Sequence, residues 1–283
     1  MPYRYFIKLS YNGRDFKGWQ IQPNDVTVQS VMEKALFFTC GLKTGIIGCG
    51  RTDTGVHARV FYAHMDVEDA ISKPADMVFK LNRFLPDSIA VKDIVPVKAD
   101  AHARFSAISR EYTYSIQTQK NPFRIQDSYY LHGNFNLDAM NTGARLLLNH
   151  SDFECFSKVK TQVANFNCKL EFAEWKQNGS ELLFNIRADR FLRNMVRSIV
   201  GTLLDVGRGR IDLGELQNIL LSHDRRRAGR SVPAKGLSLT DVNYPEYLFV
   251  KEPERFQEVN LLAERDATTR KVLKMNSIES ESE

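Results

Sequence analysis

The chain opens on a strict alternation. Between Tyr3 and Tyr11, residues Tyr3, Tyr5, Ile7, Leu9 and Tyr11 fall on one face, with Arg4, Lys8 and Ser10 on the other. This period of two predicts a strand. A turn-rich stretch, YNGRDFKGWQIQPND, follows, punctuated by Gly13, Gly18 and Pro23. The period then becomes helical: Val28, Val31, Met32, Ala35 and Leu36 share a face, with Thr27 as the N-cap and Gly41 as the stop. A second helix carries Met77, Val78, Leu81, Phe84 and Leu85, with Asp76 as its cap and Pro86 as its end. Strands are expected over residues 60–66 and 90–97.

The second half repeats this inventory. Residues 110–117 alternate, with Tyr112, Tyr114 and Ile116 on one face. A helix over 137–148 precedes strands over 168–176 and 182–187, joined by Gln177-Asn178-Gly179-Ser180, a strong hairpin signal. A long helix over 191–206, a shorter one over 213–221 and a strand over 237–243 complete the pattern. Antiparallel hairpins with helices suited to one sheet face predict an α+β fold. It reads as an N-terminal half, 1–106, and a C-terminal half, 107–247, without a sequence repeat. A charged tail, 248–283, is expected to hold a helix near 256–262 and to end in seven disordered residues.

Composition narrows the class. Hydrophobic residues make up 43% and charged residues 26%, an ordinary globular mixture. No apolar run approaches the ~18 residues that span a bilayer. The first residues, MPYRYFIKLSY, lack the pattern of a secretory leader. The four cysteines, Cys40, Cys49, Cys155 and Cys168, have no CxxC spacing, which argues against structural zinc and suits a reduced cytoplasm.

Charge is unevenly distributed. The net value is +5, but from Glu246 onward six basic residues face nine acidic ones. That segment carries −3, and residues 1–245 carry +8. Ten arginines stand against five acids between Arg187 and Arg230. Such a surface suits a polyanion, or is a solvated basic face.

The unusual local sequence is IIGCGRTDTGVHARV, residues 46–60, in which Gly48, Gly50 and Gly55 surround Arg51, Thr52, Asp53 and Thr54. Glycine allows positive φ and close backbone approach, so an acid and an arginine on this turn suit binding or catalysis. Taken alone, the composition favours an ordinary polar turn. Two phosphate-loop patterns fail: Val56-His57 stands where a Walker loop needs Lys and a hydroxyl residue, and Asp53 interrupts GxGxxG. Asp53, His57 and His64 offer a metal site on paper, without a fourth ligand.

GRTDTGVHA resembles the signature of TruA-like tRNA pseudouridine synthases. YNGRDFKGWQ (11–20), AHARFSA (101–107), REYTY (110–114), RFLRNMVRSIVG (190–201) and AKGLSLTDVNYP (234–245) are similar to that family in order. Together they extend the resemblance over residues 3–247. Thr54 departs where alanine is common and Ala101 where an aromatic residue is common. The resemblance implies the pseudouridine-synthase fold, two ferredoxin-like α/β halves with a largely antiparallel sheet and a cleft between them. It implies isomerisation of uridine to pseudouridine at positions 38 to 40 of the tRNA anticodon stem-loop. A homodimer, no cofactor and no metal go with it.

By the same resemblance Asp53 is the catalytic aspartate and Tyr112 stacks on the target base. Arg51 helps displace that base, and Arg197 partners the aspartate. The chemistry needs an ionised acid, either to attack the sugar or uracil or to remove a ribose proton. A helical wheel over 191–206 puts Leu192, Met195, Val196, Ile199 and Leu203 on one side and Arg190, Arg193 and Arg197 on roughly the other. Arg190 and Arg193 are therefore candidates for the tRNA backbone. Tyr114 reads as core and Trp19 as packing. A non-catalytic RNA-binding module and a metal hydrolase built on Asp53 and His57 are the competing readings, the first free to lose Asp53 and the second short of ligands.

Overall fold

The computed structural model describes residues 2–159 and 164–253. The helix expected near 256–262 and the last seven residues lie outside them. In chain order the strands are β1 (Tyr3–Tyr11), β2 (Ile46–Gly48), β3 (His57–Val67), β4 (Ile89–Pro96), β5 (Ser109–Gln117), β6 (Tyr129–Tyr130), β7 (Leu170–Asn178), β8 (Glu181–Ala188) and β9 (Leu237–Asn243). The helices are α1 (Val28–Cys40), α2 (Pro74–Phe84), α3 (Leu137–Leu147), α4 (Met195–Gly207) and α5 (Leu213–Leu221).

The described strands form one sheet in the order β4-β1-β3-β9-β5-β8-β7, with β2 added to β3 and β6 to β5. Pairing is antiparallel except at β3–β9 and β5–β6. The fold is therefore mixed α/β on a mostly antiparallel sheet. The last strand in sequence, β9, sits in the middle. It pairs with β3 through His57 and Ala58 opposite Ser238 and Leu239, and with β5 through Ser109 opposite Asn243 onward.

Two buried clusters flank this central strand. One holds Phe6, Leu9, Met32, Leu36, Phe61 and Leu81, the other Tyr114, Phe184, Ile199 and Leu203. Leu239 and Val242 of β9 join the first cluster, and Leu237 joins the second. Tyr112 packs against both.

Local chemistry accounts for most element ends. The Thr27 hydroxyl accepts from Ser30 N and the Ser30 hydroxyl accepts from Thr27 N, a reciprocal cap on α1. Gly41 closes α1 in the left-handed conformation. The β7–β8 hairpin turns on Gly179 (φ +57°), beside Ser180. The tyrosine assigned to the core, Tyr114, is fully buried, and its hydroxyl donates to the Pro233 carbonyl (2.8 Å).

Other expectations are corrected. Asp76 does not cap α2: the helix starts at Pro74 after Lys73, which leaves Asp76 inside the first turn. Proline needs no N–H partner at that first position, so it sets the start. The long helix begins at Met195 and not near residue 191. Asn194 adopts φ +68°, which breaks helical geometry, and Arg193 and Asn194 form a turn closed by Met195 N on the Leu192 carbonyl (3.1 Å). β3 begins at His57, earlier than expected, while β2 and β6 are too short to show a period. In β1 the alternation also fails at Phe6, which is buried against Tyr244 (ring centroids 5.1 Å) and Phe249 (6.1 Å). The segment after β9 thus covers the face of β1 opposite Tyr5 and Ile7.

One buried histidine makes this fold sensitive to acid. His64, on β3, accepts from Ala103 N through Nδ1 (3.1 Å). Burial foremost, then Arg4 and His102, hold its pKa down to about 4, against Asp66. The unfolded chain takes up this proton near pH 6.5 and the native chain only near pH 4, so stability is complete above the first value and falls towards the second. The loss is about 2 kcal/mol once partial solvent screening is allowed for. Denaturant titrations of wild type and His64→Gln between these limits check this. The wild-type slope against pH should shrink in the variant.

Candidate active site

The glycine-rich turn is the link between β2 and β3. It is held largely through its backbone. Trp19 N donates to the Thr52 carbonyl (3.3 Å), and Gly55 N donates to the Phe16 carbonyl (3.3 Å). Val56 N closes the turn on the Asp53 carbonyl (3.1 Å). The Thr52 hydroxyl lies 2.9 Å from the Tyr11 hydroxyl. The segment YNGRDFKGWQ is therefore the seat of the turn, and Trp19 packs at 4.1 Å on Phe61 beneath it. Gly55 needs its freedom, with φ +79°, whereas a Cβ on Gly48 would stand 2.5 Å from Trp19 Nε1. A Cβ on Gly50 would meet open space.

His57 clamps the far end. Gly13 N donates to its Nδ1 (3.1 Å), and its Nε2 donates to the Lys235 carbonyl (3.0 Å). Burial lowers its pKa, so the ring stays neutral with the proton on Nε2. His57 and His64 thus act as hydrogen-bonding groups within the fold. Among the described residues Asp152, Glu154 and His223 do have metal-ligand spacing, and there His223 Nδ1 lies 3.2 Å from Asp152 Oδ1.

The Asp53 carboxylate is 27% exposed and faces two arginines. Arg197 Nη1 lies 3.5 Å from Oδ2, and Arg193 Nε lies 3.7 Å from Oδ1. Arg197, on the first turn of α4, also donates from Nε to the Val232 carbonyl (2.7 Å), which fixes its direction. Its side chain is 21% exposed against 59% for Arg193. The expected stripe of Arg190, Arg193 and Arg197 on one helix face does not exist. Arg190 and Arg193 precede the helix, and the turn at Asn194 aims Arg193 at the carboxylate. The wheel concealed this contact because it assumed helical rotation through residues that are not helical.

Tyr112, half-buried on β5, packs edge-on against Phe191 (ring centroids 5.1 Å). Burial raises its phenol pKa, and the nearby Asp53 carboxylate adds to the rise. The ring is thus neutral and close to the acid. Arg51 and Thr54 are exposed at the tip of the turn. Ala101 is buried, and its carbonyl accepts from Arg4.

Arg110, two residues before Tyr112, was not singled out by its sequence. Its guanidinium donates to the carbonyls of Ala107 (3.0 Å), Asp189 (2.8 Å), Cys49 (3.2 Å) and Arg104. One side chain therefore ties the glycine-rich turn to the loop before β5 and the loop after β8. The REYTY block was the available signal, without its mechanism.

The arginines between 187 and 230 divide into two groups. Arg187, Arg210, Arg226 and Arg227 pair with Glu111, Asp205, Asp224 and Glu215. Arg190, Arg208, Arg225 and Arg230 make no ion pair among the described residues. Much of the arginine excess is thus neutralised within the fold.

The clamp on His57 yields a measurable expectation. His57→Ala leaves the Gly13 amide and the Lys235 carbonyl without their partner. Each unpaired buried group costs about 1–3 kcal/mol, so the variant should melt several degrees lower. Thermal unfolding by circular dichroism checks this, and an unchanged midpoint would contradict the clamp.

The chain matches the tRNA pseudouridine synthase family over residues 9–106 and 144–245. It is similar to a tRNA pseudouridine synthase A of Parabacteroides distasonis, with 51% identity over 249 residues, 88% of this chain and 99% of the relative. A protein of the same name from Bacteroides thetaiotaomicron is 45% identical over 264 residues, 92% of this chain and 98% of its own. Another, from Exiguobacterium sibiricum, is 38% identical over 243 residues, 86% and 97% of the two chains. The first matched stretch holds Asp53 and the second holds Arg193 and Arg197, and the chain belongs to the tRNA pseudouridine synthase family.

Proposed function

We propose that this chain isomerises uridine to pseudouridine in the anticodon stem-loop of tRNA, at positions 38 to 40, with Asp53 as the catalytic carboxylate. The observation that carries this reading is a partly exposed acid on a backbone-tethered turn, flanked by Arg193 and Arg197 and close to the ring of Tyr112. The two buried clusters support two ferredoxin-like halves, 1–106 and 107–247, with the cleft between them. No described helix is long and apolar enough to cross a membrane, and all four cysteines are free. A cytoplasmic homodimer without cofactor or metal completes the reading.

The reaction exchanges one bond at the ribose for another. The bond from C1′ to N1 of uracil breaks, the ring turns, and a bond from C1′ to C5 forms. The proton on C5 leaves as N1 gains one, so nothing is oxidised or reduced. Asp53 attacks a carbon or removes the C2′ proton, and both routes begin from the ionised acid. Arg197 and Arg193 stabilise that charge and fix its position before substrate arrives. Flipping the uridine costs a few kcal/mol of unstacking, offset by stacking on Tyr112 and by Arg51 entering the vacated space.

Tritium release from tRNA labelled at C5 of uridine tests this. Asp53→Asn should lose at least about 10³-fold in single-turnover rate while keeping its affinity for tRNA. Arg197→Ala should lose about 10- to 100-fold, the scale of a charge-assisted contact that is mostly shielded from water. The more exposed Arg193→Ala should lose no more than about fivefold. Substantial turnover by a folded Asp53→Asn protein would overturn the mechanism.

Affinity should also fall steeply with salt, because phosphates exchange their counterions for arginine. Arg190→Ala should reduce the slope of log affinity against log salt by about one unit. Filter binding across a salt series measures it, and an unchanged slope would remove Arg190 from the backbone contacts.

A further inference from the structure

The block AHARFSA, residues 101–107, has no role in the chemistry above, yet it is tightly built. His102 Nδ1 accepts from the amides of both Arg104 (3.0 Å) and Phe105 (3.3 Å). Ser106 Oγ accepts from His102 N (2.9 Å), and Ser106 N donates to the His102 carbonyl (2.9 Å). Ala103 is held on both sides, by His64 through its amide and by the Tyr244 hydroxyl through its carbonyl. The loop therefore fixes what it presents. That is Phe105, a residue 73% exposed.

The setting of Phe105 distinguishes it from a stray surface hydrophobe. Its ring lies 4.4 Å from that of His102, which in turn lies 4.6 Å from that of His64. A column of three rings thus runs from the buried sheet outwards. The Arg104 guanidinium stands 5.3 Å from the Phe105 ring. Arg51, Arg110 and Arg190 are near enough to act on Arg104. None of Arg51, Arg104, Arg110 and Arg190 forms an ion pair with a carboxylate among the described residues. Arg110 bonds the carbonyls of both Arg104 and Cys49, which places the loop against the catalytic turn.

A flat apolar face among unpaired arginines suits an unstacked nucleobase together with its phosphate. We propose that Phe105, backed by His102, is a stacking platform for an unpaired base next to the target uridine, and that Arg104 and Arg190 receive the adjoining phosphate. The proposal rests on the reading of this protein as a tRNA-modifying enzyme. It adds a second base contact, separate from Tyr112, which anchors the strand while the uridine is turned out. The arginines favour RNA over a protein partner on this face.

The test uses anticodon stem-loop RNA with 2-aminopurine placed in turn on each side of the target uridine. Wild type and Phe105→Trp should quench the probe at one of the two positions. Phe105→Ala should lose that quenching and bind about 10-fold more weakly, the scale of one base–aromatic stack. The exposed ring can be removed without emptying the core, so the variant should fold. Equal affinity and equal quenching by Phe105→Ala at both positions would overturn the platform. A changed oligomeric state with unchanged RNA affinity would overturn it too, by assigning the ring to a protein contact. Wild-type protein that quenches the probe but releases no tritium would overturn the isomerase reading alone and leave the platform standing.

Discussion

The backbone pairing of β9 between β3 and β5 is the constraint on which the site depends. It is the parallel step in the β4-to-β7 order, and it joins strands from opposite halves of the chain. Its register places Ser238 and Leu239 beside His57 and Ala58, so the segment just before β9 passes the glycine-rich turn. That segment supplies the Lys235 carbonyl to His57 and the Val232 carbonyl to Arg197. The acid and its cation are thus oriented by neighbouring residues of one short stretch, far from both in sequence. A slip of one residue would reverse every side chain on β9 and release both contacts.

Backbone tethering also explains how the turn holds a charge without collapsing on it. Thr52, Gly55 and Val56 are fixed by main-chain bonds, and the His57 ring by two bonds to main-chain groups, so the turn is held without using the carboxylate. Its contacts with Arg193 and Arg197 are long, at 3.7 and 3.5 Å, and leave its oxygens accessible to a ligand. A catalytic acid gains from such an arrangement, because its position is set before the substrate arrives and its lone pairs are not used up.

The arginines work in two populations. Those paired with Glu111, Asp205, Asp224 and Glu215 stabilise local structure and contribute little field at a distance. Arg51, Arg110 and Arg190 lie near enough to act on Arg104, and none of the four makes an ion pair among the described residues. Like charges held together cost stability, and the cost is offset when a polyanion binds. Arg110 limits it further by spreading its guanidinium over four carbonyls.

Local patterns in the sequence settled the elements with long periods and strong caps. Thr27 and Gly41 bound α1, and Gly179 turns the β7–β8 hairpin, because capping and turn chemistry act within a few residues. The order of six motifs marked the family and singled out Asp53, Arg51, Tyr112 and Arg197. Tertiary structure alone decided what these residues touch. The left-handed Asn194 ended the helix early and turned Arg193 onto Asp53, against the wheel. Proline, not Asp76, set the start of α2. Phe6 was buried on the face that alternation gave to polar residues, because Tyr244 and Phe249 return to cover it from the far end of the chain. Arg110 and Phe105 drew their meaning from carbonyls and cations on other loops. Local preference reaches only along one turn or strand, whereas these contacts join residues from opposite ends of the chain, Phe6 and Phe249 among them.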